Sequence, residues 1–228
     1  MTNITKYLYG KLTNLSNFLR SGESLWFRDI YSLNMLENKI ICDEESIKKF
    51  KIDSKHISKV TLDGHDFKLV PNSIFRMSQP TRRCHVLCLS NKGNSAELFE
   101  RFNADICIEI NVDLLIQLIK QNNEHFNLEV IGKDVAYFET GNLPESIDTM
   151  ELVFRKEAEK YQVEDEYRIA IFWPYDHKTR IMTTDGNYIN VFADNPSCDD
   201  HISLDFIDLD RNELIVSIRD RNNQEVKL

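Results

Sequence analysis

The sequence predicts an α+β domain of many short strands and a few short helices, and three observations support this. Apolar residues recur at two periods, as short runs or alternations that suit strands and at three-to-four spacing that suits helices. These segments follow one another in mixed order, without the regular βαβα alternation of a doubly wound parallel sheet. No repeat, low-complexity tract or Pro/Ser/Gly-rich linker divides the 228 residues. The expectation is one domain over residues 1–228, long enough to hold a core without a disulfide or metal staple.

The elements follow in order. Residues 13–22 read as a helix, with Leu15, Phe18 and Leu19 on one face and Gly22 at the left-handed cap position. Residues 25–28 read as a strand and residues 44–50 as a polar helix. Residues 59–62 and 67–70 flank Asp63-Gly64-His65-Asp66 as a hairpin. The apolar run 85–89 suits a buried central strand, and Asn94-Ser95-Ala96-Glu97 resembles a capping box opening a short helix toward Phe102. Residues 105–110 form a strand and 112–121 an amphipathic helix. From 145 to 161, Ile147, Met150, Phe154, Ala158 and Tyr161 fall at helical spacing. Residues 167–173 are a strongly apolar strand, and 188–192, 202–207 and 214–218 supply the last strands.

Several chemistries are excluded. Cys84 and Cys88, four apart on a strand, stand roughly 13 Å apart, too far for two thiolates on one zinc, so both are expected in the core. None of the six His forms a metal-binding or metalloprotease spacing, and neither G-x-S-x-G nor a Gly-rich phosphate loop is present. The acidic run Asp194, Asp199, Asp200, Asp205, Asp208, Asp210 and Glu213 lacks calcium-loop spacing and reads as a solvated face. No metal is expected. The N-terminus lacks a signal pattern and no apolar run could span a bilayer, so a cytoplasmic protein without a membrane partner is expected.

Charge is informative. The net charge of −9 opposes non-specific gripping of nucleic acid. Yet residues 67–96 contain no Asp or Glu while holding Lys68, Arg76, Arg82, Arg83 and Lys92. Arg76, Arg82 and Arg83 are therefore candidate substrate-binding residues for a phosphate-rich ligand. Glu164 and Glu166, two apart at the entry to an apolar strand, are expected on one side of it.

Several segments in order resemble a large bacterial family ending in an E-x-E-Y-R motif. They are Lys6-Tyr7, residues 17–22, Leu25-Trp26-Phe27, residues 32–37, residues 86–90, residues 106–110, Val135-Ala136-Tyr137, Val153-Phe154-Arg155-Lys156 and Glu164-Asp165-Glu166-Tyr167-Arg168. The resemblance covers residues 6–173, leaving 174–228 as additional strands. This layout is similar to the ADP-ribosyltransferase superfamily, which implies a split mixed β-sheet flanked by short helices, with NAD⁺ bound in the cleft.

It further implies that Glu166 is catalytic, holding the nicotinamide-ribose 2′-hydroxyl, and that Glu164 orients the acceptor. Lys6 and Tyr7 match the ribose-fixing first strand, Tyr9 or Trp26 would stack on nicotinamide, and Asn34 and Glu37 match a middle turn. Ser90 matches a strand serine, and Arg168 would pair with a carboxylate or phosphate. The middle turn reads Leu33-Asn34-Met35-Leu36-Glu37, without the family's Asp-Pro. The implied function is an NAD-dependent mono-ADP-ribosyltransferase, a toxin or antiviral effector acting on nucleic acid or protein. A toxin acting in its own cell needs a neutralising antitoxin partner. The competing expectations are a non-catalytic interaction module on the same fold and an NAD hydrolase.

Overall fold

The apolar run beginning at His85 forms the strand on which the main sheet is built. The structure, a computed structural model, describes residues 4–35, 45–139, 148–174, 180–182, 186, 188–195, 197, 200–206 and 211–227. Its elements are β1 (Thr5–Gly10), α1 (Leu12–Ser21), β2 (Leu25–Asp29), β3 (Ile47–Asp53), β4 (Val60–Leu62), β5 (His65–Phe67), β6 (Ile74–Pro80), β7 (His85–Ser90), α2 (Ala96–Arg101), β8 (Ile106–Asn111) and α3 (Val112–Asn122). There follow β9 (Glu129–Asp134), β10 (Ala136–Phe138), β11 (Arg155–Glu157), α4 (Ala158–Tyr161), β12 (Glu166–Phe172), β13 (Arg180–Met182), β14 (Tyr188–Asn190), β15 (His201–Leu204), α5 (Arg211–Leu214) and β16 (Ile215–Asp220).

The class is α+β, and the eight-stranded main sheet is antiparallel rather than mixed; among the described residues the one parallel pair is β10 with β11. Strand β7 pairs along one edge with β12, which continues to β9. Its other edge is shared. Val86 and His85 pair with Arg28 and Asp29 of β2, while Ser90 pairs with Tyr7 of β1. The strands β1 and β2 therefore part over Leu87, Cys88 and Leu89. From β2 the sheet continues to β15, and from β1 to β8 and β16.

Alternation along β7 and β12 sends their side chains to two layers. Leu87, Leu89, Tyr167, Ile169 and Ile171 join Phe18 and Leu19 of α1 and Leu115, Leu118 and Ile119 of α3 in the larger core. On the opposite face Val86, Ala170 and Phe172 pack with Ile30, Cys84, Val153 and Phe154. Helix α1 ends as the sequence predicts, with Gly22 at φ 77° and its N–H on the Phe18 carbonyl. Helix α3 opens on Asn111, whose side chain accepts from the Leu114 N–H.

Four expectations about individual elements are corrected. Residues 47–53 are a strand, because Lys48, Phe50 and Ile52 alternate inward and the segment pairs with β6 over seven residues. The stretch expected as a long helix becomes a 3₁₀ turn (Glu151–Phe154), then β11 and the four-residue α4; residues 140–147 lie outside the described residues. The hairpin turn is the dipeptide Asp63-Gly64, both at positive φ, so β5 begins at His65. The capping box does not form: the N-cap of α2 is Ser95 rather than Asn94, and it makes no side-chain cap hydrogen bond. No helix among the described residues is long and apolar enough to cross a membrane.

Candidate functional site

Where β1 and β2 part, the sheet opens into a cavity of about 310 Å³, near the lower end of the range for small-molecule sites. Leu8, Tyr9 and Gly10 form one wall and Ser24, Leu25 and Trp26 the other, while Asn14 and Leu15 of α1 lie between them. Leu87, Cys88, Leu89 and Ser90 contribute from β7, and Glu166, Arg168, Lys156, Glu164 and Glu45 complete the lining. Of the residues that the resemblance assigns to the site, Tyr7, Tyr9, Trp26, Ser90, Glu164, Glu166 and Arg168 line this cavity, and Lys6 does not.

The charged groups form one buried network. Arg168 is fully buried; its Nε donates to Glu166 Oε1 at 2.6 Å and its Nη1 to Glu45 Oε2 at 2.9 Å. Lys156 Nζ lies 2.9 Å from Glu166, 3.0 Å from Glu164 and 3.6 Å from Glu45. Arg101 Nε closes the far end on Glu164 Oε1 at 2.8 Å, and Lys48 pairs with Glu45. Burial would raise the Glu166 pKa, but the charges of Arg168 and Lys156 outweigh it and hold it at about 2. Glu45 is held well below the carboxylate range in the same way, against its burial, chiefly by Arg168. Arg168 and Lys156 stay protonated: burial opposes their charge, and the neighbouring glutamates, Glu166 foremost, more than restore it.

Local backbone explains how both glutamates reach Lys156. Glu164 ends a 3₁₀ turn, Asp165 follows in the left-handed region at φ 44°, and Glu166 is the first residue of β12. The pair thus converges through a kink, not by strand alternation alone. Asp165 is held by Asn91, whose Nδ2 donates to its carboxylate at 3.2 Å. The Glu166 N–H is fixed by the Tyr137 hydroxyl at 2.7 Å.

The remaining candidates divide. The Tyr9 hydroxyl donates to the Lys92 carbonyl at 2.7 Å and accepts from the Ser95 N–H at 2.8 Å, so only its ring serves the wall. Ser90 Oγ donates to the Glu164 carbonyl at 2.7 Å. Trp26 is 43% exposed and stacks on His201 with ring centroids 4.0 Å apart. Tyr7 packs against Gly93, where an added Cβ would stand 2.6 Å from its ring.

Lys6 leaves the site. It sits over the Tyr167 ring at 4.7 Å, bonds Asn91 and faces Asp134 at 3.4 Å, because neighbours on a strand point to opposite faces. Arg82 donates to the Trp173 carbonyl at 3.0 Å, and Arg83 pairs with the buried Asp29 and the Ala193 carbonyl. Both are structural arginines away from the cavity. Arg76 lies exposed on β6, also away from it. Asn34 falls in the 3₁₀ turn Ser32–Met35, and its side chain is not among those described; Glu37 lies outside the described residues.

Glu45, Lys156 and Cys88 join the site without having been singled out as site residues. Cys88 is not a core cysteine, since it opens on the cavity. Burial beneath the cleft and the neighbouring Glu166 charge push its thiol pKa up, which keeps it protonated. Its signal in the sequence is alternation: Cys88 shares a face with Ser90 and stands opposite Arg168. Among the described residues no group of three His, Cys, Asp or Glu could hold a metal ion. Comparison with protein-family models, curated proteins and solved structures returns no match.

Proposed function

We propose that the cleft binds the nicotinamide end of NAD⁺ and that the chain is a mono-ADP-ribosyltransferase. The observation that supports this most is Glu166, an ionised carboxylate in the lining of a cavity with aromatic walls, formed where the sheet parts. The bond to be broken joins ribose C1′ to the nicotinamide nitrogen. Its electron pair leaves with nicotinamide, an acceptor's lone pair replaces it at C1′, and the acceptor's proton passes to solvent.

The residues present suit this substrate. Glu166 Oε2 accepts from Arg168 Nη2 at 3.3 Å and from Lys156, whereas Oε1, which accepts from Arg168 Nε, has a second lone pair and can accept a hydrogen bond from the ribose 2′-hydroxyl. Negative charge held there favours the positive charge that develops on the ribose. Tyr7, Tyr9 and Trp26 offer ring faces to the flat nicotinamide. Glu164, tied to Arg101 and Lys156, stands beside Glu166 to orient the acceptor, which is a nucleic-acid base or a protein side chain. Such an activity fits a toxin or antiviral effector with a neutralising partner.

A second reading has a specific observation in its favour. Arg168 and Lys156 already neutralise Glu166, as suits a non-catalytic module in which the network only braces the cleft. Nicotinamide release from NAD⁺ separates the two, measured with added cellular RNA, DNA or protein. The transferase predicts release that rises with one fraction and falls on the order of 10²–10³-fold in Glu166→Gln. Release unaffected by every fraction identifies water as the acceptor and a hydrolase. No release from folded protein under any condition overturns the enzyme reading.

A further inference from the structure

Strands β3 and β6 form a two-stranded antiparallel ribbon apart from the main sheet. One face is anchored: Phe50 and Ile52 are buried with Leu152 and pack against Phe75, Met77 and Phe138. The other face is exposed, and alternation puts Lys49 and Lys51 on it from β3 and Arg76 from β6. Lys51 stands directly opposite Arg76 in the register, and like charges in that position repel. Neither has an ion pair among the described residues, whereas Asp53 and Asp66, the nearby acids, are engaged by Lys55 and Lys59. Residues 47–80 hold seven Lys or Arg against three Asp and no Glu, in a chain of net charge −9.

We propose that this face is a docking surface for the phosphate backbone of a nucleic acid. A basic ribbon in an acidic chain provides local charge complementarity to a polyanion and orients it, since the bulk of the molecule repels it. A two-stranded ribbon also has the width to lie in a duplex major groove. The exposed aliphatic residues on this face, Ile47 and Ile74, sit at opposite ends of the ribbon with the cations between them. No continuous apolar strip is presented along it, as insertion into a lipid surface would require. The proposal does not rest on the reading of the cleft, because no ribbon residue lines the cavity.

The test is fluorescence anisotropy of the full chain with labelled duplex DNA and labelled single-stranded RNA between 50 and 200 mM salt. The wild type is expected to bind at least one probe, with log K falling linearly against log salt. The double variant Lys51→Glu/Arg76→Glu is expected to weaken binding at least tenfold at low salt and to make the slope shallower by about 1 for each phosphate no longer neutralised. Lys120→Glu/Lys227→Glu, which removes the same charge from exposed positions elsewhere, is expected to change it little. Preference for one probe identifies which nucleic acid is the ligand. The proposal is overturned if neither probe binds, if both variants weaken binding equally, or if only vesicles containing anionic lipid are bound.

Discussion

The cleft and the ribbon handle charge in opposite ways. In the cleft, Glu45, Glu164, Glu166, Lys156 and Arg168 are buried and interlocked, each carboxylate beside at least one cation. On the ribbon, Lys51 and Arg76 face each other in solvent. Buried charge must be compensated within the fold, because an unpaired ion in the interior costs several kcal/mol. Exposed like charges cost little and keep their field for a partner. The cleft network thus holds a fixed shape around one carboxylate, and the ribbon leaves its charge available.

Substitutions can break or sharpen this contrast. Arg168→Ala strips Glu166 and Glu45 of one of the two cations they share and is expected to cost about 3–5 kcal/mol, read from urea unfolding. Lys51→Glu/Arg76→Glu is expected to leave stability within about 0.5 kcal/mol in the same assay. Equal losses at the two places would erase the distinction.

Acid should also act on the interior. His85 accepts from Trp173 Nε1 at 3.1 Å and stacks on Phe192, and burial holds its pKa down at about 3. The unfolded chain takes up that proton near pH 6.5, so stability is lost as pH falls below 6.5, by about 2 kcal/mol between pH 7 and pH 5. Glu166, at about 2 in the fold, adds a further loss below about pH 4.5 as pH falls toward 2. His85→Gln, which retains an acceptor without titrating, should flatten the upper part of a stability–pH curve; an unchanged curve would refute the assignment. An effect of similar size is expected behind Tyr7 of the cavity wall. Gly93→Ala drives a methyl group into the Tyr7 ring and should cost about 1–3 kcal/mol, with weakened NAD⁺ affinity as its second readout.

The sequence made the strands around the cleft legible and the network only in part. Runs such as 85–89 and 167–173 are apolar enough to announce buried strands, and Gly22 marked its helix end. Glu164, Glu166 and Arg168 stood together in one short motif. Glu45 was hidden because it meets Arg168 across 123 residues, a pairing that local pattern cannot reveal. Lys48 disguised β3 as a polar helix, since a buried lysine occupies an inward strand position only when a partner such as Glu45 is present. Arg82 and Arg83 looked like part of a basic binding stretch; their partners, the Trp173 carbonyl and Asp29, lie 91 and 54 residues away.

On the proposed reading, the cleft holds the nicotinamide end of NAD⁺ against Glu166. A crystal structure of the Glu166→Gln variant soaked with NAD⁺ tests it most directly. The nicotinamide ring is expected between β1 and β2 beside Tyr7, Tyr9 or Trp26, with the ribose 2′-hydroxyl in hydrogen-bonding reach of residue 166. A cleft that excludes NAD⁺, or a ribose turned away from residue 166, would contradict it.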